Sequence, residues 1–163
     1  MRHHPSTAAQ ALTQAWGGVP GHPIGSSADA ALLRFADIAH DTRVVLIGPD
    51  TLELLCALIR LDCASAAAIR LLDRPKAGTA DLAILPAVAS ADCVDAGLAK
   101  ARRVLAPLGS VILRFAGLPT PTLVRHARRA LQMHGFQAIH ARQLGHQCLL
   151  TAELPLVGRL ACA

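Results

Sequence analysis

The stretch from Thr42 to Asp73 constrains this chain more than any other. An apolar run, Val44-Val45-Leu46-Ile47, ends at Gly48, and a second run from Ala66 to Leu72 ends at Asp73. Between them Leu52 to Asp62 reads as a helix with Leu55, Leu58 and Ile59 turned inward, capped by Asp50 or Thr51. A continuous Val-Val-Leu-Ile run suits a strand buried on both faces, as in a parallel sheet. Strand, helix and strand together make a βαβ unit, whose first turn could hold a small phosphate- or nucleoside-bearing ligand.

The flanking sequence extends the pattern. Ser27 opens a helix running to about Ala39, with Leu32, Leu33, Phe35, Ala36 and Ile38 as its stripe. Asp81 to Pro86 is a third strand, Asp92 to Ala106 a helix, and Ser110 to Phe115 a further strand. Pro107 and Gly109 end that helix, the glycine taking a left-handed cap. Thr120 caps a helix with Pro121 at its first position, running to His134. Phe136 to Gln143 and Gln147 to Ala152 are spaced as a hairpin. The expected organisation is an arm at 1–27, an α/β domain at 28–152 and a tail at 153–163. A short helix from Thr7 to Trp16 is expected within the arm, with Trp16 as its anchor.

Composition removes several function classes. At 163 residues the chain is long enough for one domain with a real core. Aromatic residues are 2% of the chain and tyrosine is absent, which argues against base-stacking platforms. The net charge of +5 is scattered, without a run of basic residues, so nucleic-acid binding is not expected. A mean hydropathy of +0.41 comes largely from alanine, yet leaves apolar surface for a partner. The expected setting is cytoplasmic. The five cysteines are odd in number and lack a C-x-x-C pair, there is no apolar leader, and no stretch could cross a membrane. Cys56 and Cys63 are read as core residues of one helix.

The phrase Leu98-Ala-Lys-Ala-Arg-Arg-Val-Leu-Ala-Pro-Leu-Gly-Ser-Val-Ile-Leu113, with His134-Gly135-Phe136, resembles the class I S-adenosylmethionine-dependent methyltransferase domain. The resemblance covers Ala28 to Ala152. It implies a Rossmann-like three-layer sandwich, α/β in class, with a mostly parallel sheet and a C-terminal antiparallel hairpin. It also implies S-adenosylmethionine as cofactor, with Gly48, Asp50 and Asp73 as the cofactor-binding positions. Asp73 stands where the family's acidic residue meets the ribose hydroxyls.

The departures from the family pattern carry the functional expectation. The family's first turn is rich in glycine, whereas here Gly48 is followed by Pro49, which has no N–H and adds bulk. Between Asp73 and Asp81 there is no room for the family's next helix and strand, since a parallel crossover needs about a dozen residues. One flanking strand is therefore expected to be missing, with the uncovered edge paired in a homodimer. Pro86 to Ser90 lacks the usual polar group, and no catalytic base is identified. The expectation is a degenerate, non-catalytic domain that acts through protein–protein contacts. The alternative is an active methyltransferase whose pocket is completed by the N-terminal arm or a second subunit.

Other constellations read more plainly. His126 and His134 lie too far apart on one helix to share a metal ion, and no metal is expected. Arg125, Arg128 and Arg129 form a basic, solvated face. A phosphate-receiving domain is rejected, because Pro86 stands at the acceptor position and Arg114 where a lysine is needed.

Overall fold

The computed structural model describes residues 27–156. Its elements in chain order are α1 (Ser27–Ala36), β1 (Arg43–Ile47), α2 (Leu52–Arg60), β2 (Ser65–Ile69), β3 (Ala80–Val88), α3 (Ala91–Val104), β4 (Leu105–Phe115), α4 (Pro121–Met133), β5 (Gln137–Leu144) and β6 (Gln147–Glu153). The strands form one six-stranded sheet in the order β2-β1-β3-β4-β6-β5. The first four run parallel, and β6 returns antiparallel between β4 and β5. This is the α/β Rossmann-like three-layer architecture, with its C-terminal hairpin and one flank absent. The expected N-terminal arm, with Trp16, lies outside the described residues.

Side-chain alternation along the central strands builds two cores. Val45, Ile47, Leu85, Leu113 and Phe115 face α3 and α4. Val44, Leu46, Ile84 and Ile112 face the other way, toward α1 and α2. Because both faces are covered, β1 and β3 are buried along most of their length. β2 is different: its Ser-Ala-Ala-Ala-Ile sequence ends the sheet and is largely exposed.

The link from β2 to β3, residues 70–79, crosses without a helix. It is pinned to α3, where Gly78 N–H donates to the Arg103 carbonyl at 3.2 Å. Lys100 Nζ also donates to the Asp73 carbonyl. Among the described residues no helix is long and apolar enough to cross a membrane.

Several local readings are corrected. β2 stops at Ile69, not Leu72, because Arg70 to Asp73 closes as a turn. α2 buries Leu54 and Leu58, while Ile59 is 64% exposed. Leucines at 52, 54, 55 and 58 offer two overlapping stripes, and the sheet takes the one containing Leu54. Cys56 is exposed, and Cys63 lies past the helix end with its thiol donating to the Leu58 and Ser65 carbonyls. α1 ends at Ala36, where Asp37 has φ +45°.

The expected glycine cap is absent: α3 ends at Val104 and passes straight into β4, where the left-handed residue is Leu108, φ +65°, and not Gly109. Gly109 serves a close approach. A Cβ there would lie 2.9 Å from the Ala106 carbonyl oxygen and 3.2 Å from that of Asp81. The slack is taken up as a register shift in the β3–β4 ladder between Ala80 and Leu82.

Candidate functional site

β1 and β2 are parallel and in register from Arg43↔Ser65 to Ile47↔Ile69, so their carboxyl ends lie side by side. The crevice there is an open cleft of about 720 Å³. Gly48, Asp50 and Asp73 all line it, with Pro49, Thr51 and residues 68–71.

Gly48 sits at φ +135°, and a Cβ added to it would meet nothing within 4 Å. The space over that peptide is open, as a close backbone approach by a ligand requires. The Gly48 N–H is engaged inside the sheet, donating to the Ile69 carbonyl at 3.1 Å. Pro49 is exposed and lines the cleft without filling it, which corrects the expectation of a hollow narrowed by its ring.

Asp50 is exposed at φ +51°, a strained conformation for a residue with a side chain. The capping expectation fails at both candidates. Thr51 occupies the N-cap of α2 in a helical conformation, and no side chain caps the helix. The first amides of α2 therefore stand at the cleft without a side-chain acceptor.

Asp73 is placed at the far side and is exposed. Its Oδ2 accepts the Arg70 N–H at 2.7 Å, and its own N–H donates to the Arg70 carbonyl at 3.1 Å. The carboxylate thus closes its own turn. Beyond β2 no strand or helix walls the cleft among the described residues.

A second hollow of about 410 Å³ opens at the carboxyl ends of β3 and β4. Ser90 and Thr120, which line it, serve as helix caps, accepting the Cys93 N–H at 3.3 Å and the Leu123 N–H at 3.2 Å. His126 borders it and pairs through Nε2 with Asp95 Oδ1 at 2.9 Å. On the opposite face Arg114 bonds Asp29 and, through Nε, the Pro86 carbonyl at 2.5 Å. This largely buried pair fastens α1 over the ends of β3 and β4.

No family model matches the chain, and no curated protein matches it. Solved structures do. Human N-acetylserotonin methyltransferase, in complex with SAM, aligns at a TM-score of 0.60 and 15% identity, over 90% of this chain and 54% of its own. A ribosomal protein L11 methylase from Lactobacillus delbrueckii subsp. bulgaricus aligns at 0.60 and 17%, over 78% of this chain and 77% of its own. A SAM-dependent methyltransferase from Aquifex aeolicus aligns at 0.60 and 14%, over 78% and 89%.

The chain has the class I S-adenosylmethionine-dependent methyltransferase fold. At these identities the likeness is one of fold. The chain spans about half the length of the human enzyme. Within this methyltransferase fold, the residues present fit S-adenosylmethionine at one end of the cleft. The bare backbone at Gly48 admits close approach. At the other end one oxygen of the exposed Asp73 carboxylate is already bound to the Arg70 amide, and among the described residues no segment beyond β2 covers an adenine.

Sequence reasoning missed the polar pairs around the methyltransferase core. Arg114 and Asp29 are 85 positions apart, Asp95 and His126 31 apart, and Arg43 and Asp81 38 apart. Arg43 Nε and Nη2 grip the Asp81 carboxylate at 2.9 and 2.6 Å, and the Arg43 N–H adds a third bond at 3.0 Å. This grip holds the Asp81 carboxyl below the ordinary carboxylate range. The advance signal was confined to Arg43 and Asp81, isolated charges that open the apolar runs of β1 and β3.

Proposed function

We propose that this chain is a methyltransferase-fold domain with a reduced cofactor site, which acts through protein–protein contacts and not through methyl transfer. The observation that carries this reading is the engagement of Asp73. Among the described residues, the one carboxylate suited to a ribose spends an oxygen closing its own turn at 2.7 Å, beside an edge strand with no further strand to wall an adenine. Its unpaired cysteines, Cys56, Cys63, Cys93 and Cys148 among the described residues, suit a reducing, cytoplasmic setting.

A second reading is favoured by the cleft itself. A hollow of about 720 Å³ over a bare Gly48 is roomy enough for a nucleoside. In this reading the protein is a working methyltransferase, its pocket completed by the N-terminal arm or a second subunit. Gly48, Asp50 and Asp73 then contact the cofactor.

Titration calorimetry with S-adenosylmethionine separates the two. The expected result is no heat at millimolar ligand. Micromolar binding that Asp73→Ala abolishes would overturn the reduced-site reading, and no heat at millimolar ligand would overturn the second.

A further inference from the structure

The two edges of the sheet are built differently. β5, at one end, carries His140 and Arg142, a register shift between Gln137 and His140, and Ala138 at φ +50°. Charges and a bulge are the usual devices that stop an edge from pairing. β2, at the other end, is Ser-Ala-Ala-Ala-Ile, with no charge, proline or register shift. Its outer row of backbone groups has no strand partner among the described residues.

The helix above this edge is also unfinished. Leu54 and Leu58 of α2 point into the sheet core, and Ala57, Arg60 and Leu61 turn toward α1. At 100° per residue, Leu52, Leu55 and Ile59 fall on the flank away from α1, above β2, while Cys56 points away from the sheet. Leu52 is 70% and Ile59 64% exposed, and Leu72, just past β2, is 94% exposed. A strand edge open to pairing and an apolar helical stripe thus share one side of the molecule.

We infer that this side binds a second copy of the chain, β2 pairing antiparallel with β2 of the partner about a two-fold axis at Ala67. The register matches Ser65 with Ile69 and Ala66 with Ala68, so no bulky or charged side chain opposes its like. α2 runs antiparallel to β2 in the layer above, and its middle lies near the same axis. The two Leu52-Leu55-Ile59 stripes therefore meet across the axis. The chain as a whole carries +5, but neither β2 nor this stripe contains a charged residue, so self-association meets no repulsion there. The partner's edge would also stand beside residues 68–71 and close the open side of the cleft. The association does not depend on whether the cleft binds a cofactor.

The test is the mass of the full chain in solution, by sedimentation or light scattering. A dimer is expected at micromolar concentration, with Ile59→Glu weakening it at least about tenfold by setting a carboxylate in an apolar contact. Circular dichroism and thermal melting show whether that variant is folded. As a second readout, mild oxidation of an Ala67→Cys variant should link two chains at the axis, and adding Ile59→Glu should remove the link. A monomer at high micromolar concentration would overturn the inference. So would a dimer indifferent to Ile59→Glu and not cross-linked in the Ala67→Cys variant, or assembly only with a different protein.

Discussion

Asp29→Ala should destabilise the fold by about 2–3 kcal/mol, although Asp29 lies in the first turn of a peripheral helix. The side chains of Arg114 and Asp29 are 14% and 11% exposed. Removing the carboxylate leaves a nearly buried guanidinium with the Pro86 carbonyl as its remaining named acceptor. Breaking a fully buried pair costs about 3–5 kcal/mol, and the residual exposure here places the loss at the low end or just below. For a domain of this size the melting temperature should fall by roughly 8 °C. Asp29 also faces the amino end of α1, a contribution of about 0.5 kcal/mol that a single substitution cannot separate. A double-mutant cycle does so. Arg114→Met keeps the bulk of the chain but strands the Asp29 carboxylate, so Asp29→Ala in that background should cost nothing or stabilise, relief of the buried charge offsetting the helix-end contribution. Urea denaturation of all four proteins gives the coupling energy. If the two substitutions prove additive, or Asp29→Ala alone costs under about 0.5 kcal/mol, the pair is not what holds α1 to the sheet.

Asp81→Asn should flatten the acid limb of the stability profile. The folded carboxyl titrates below its unfolded value, so its stabilisation is complete above about pH 4 and is lost as pH falls through the folded pKa. The variant should be less stable than the parent at neutral pH and converge with it in acid, as read by urea midpoints against pH. The effect should be small, since Arg43 and Asp81 are both about 40% exposed. Gly109→Ala should cost about 1–3 kcal/mol in thermal unfolding, because its Cβ meets two backbone carbonyls that cannot move aside as a side-chain tip can. Thr120→Ala should cost about 1 kcal/mol by loss of the α4 cap, whereas Thr51→Ala should cost no capping energy, since Thr51 makes no such bond.

The fold was legible because its signals are local. Val44 to Ile47 and Leu82 to Leu85 are buried on both faces and read as such without a partner in view. The short count between Asp73 and Asp81 excluded a crossover helix, and the described chain has none there. The phase of α2 was not legible, because five aliphatic side chains in eight positions satisfy two helical stripes, and the contact with Leu46 and Ile84 decides between them. Nor were the ion pairs. Arg114 meets Asp29 only once α1 has been laid across the sheet, a fact of tertiary placement that no spacing encodes. Pro49 shows the same limit: its bulk could be read from the sequence, its direction could not.

The open cleft is weak evidence for binding by itself. Parallel strands that stop at neighbouring turns leave a crevice at their carboxyl ends whether or not anything occupies it. What makes a crevice a site is polar groups aimed into it and walls that exclude water. Here the amino end of α2 and the backbone of Gly48 remain on one side, and Asp73 on the other is turned back upon Arg70. The same shortened link that removes the wall also bares β2 and the Leu52-Leu55-Ile59 stripe. A partner at that edge would return a wall to the cleft while the Asp73 turn stays as it is. Dimerisation and cofactor binding are therefore separable. Asp73→Ala should leave the dimer intact, and Ile59→Glu should break it without altering the Asp73 turn.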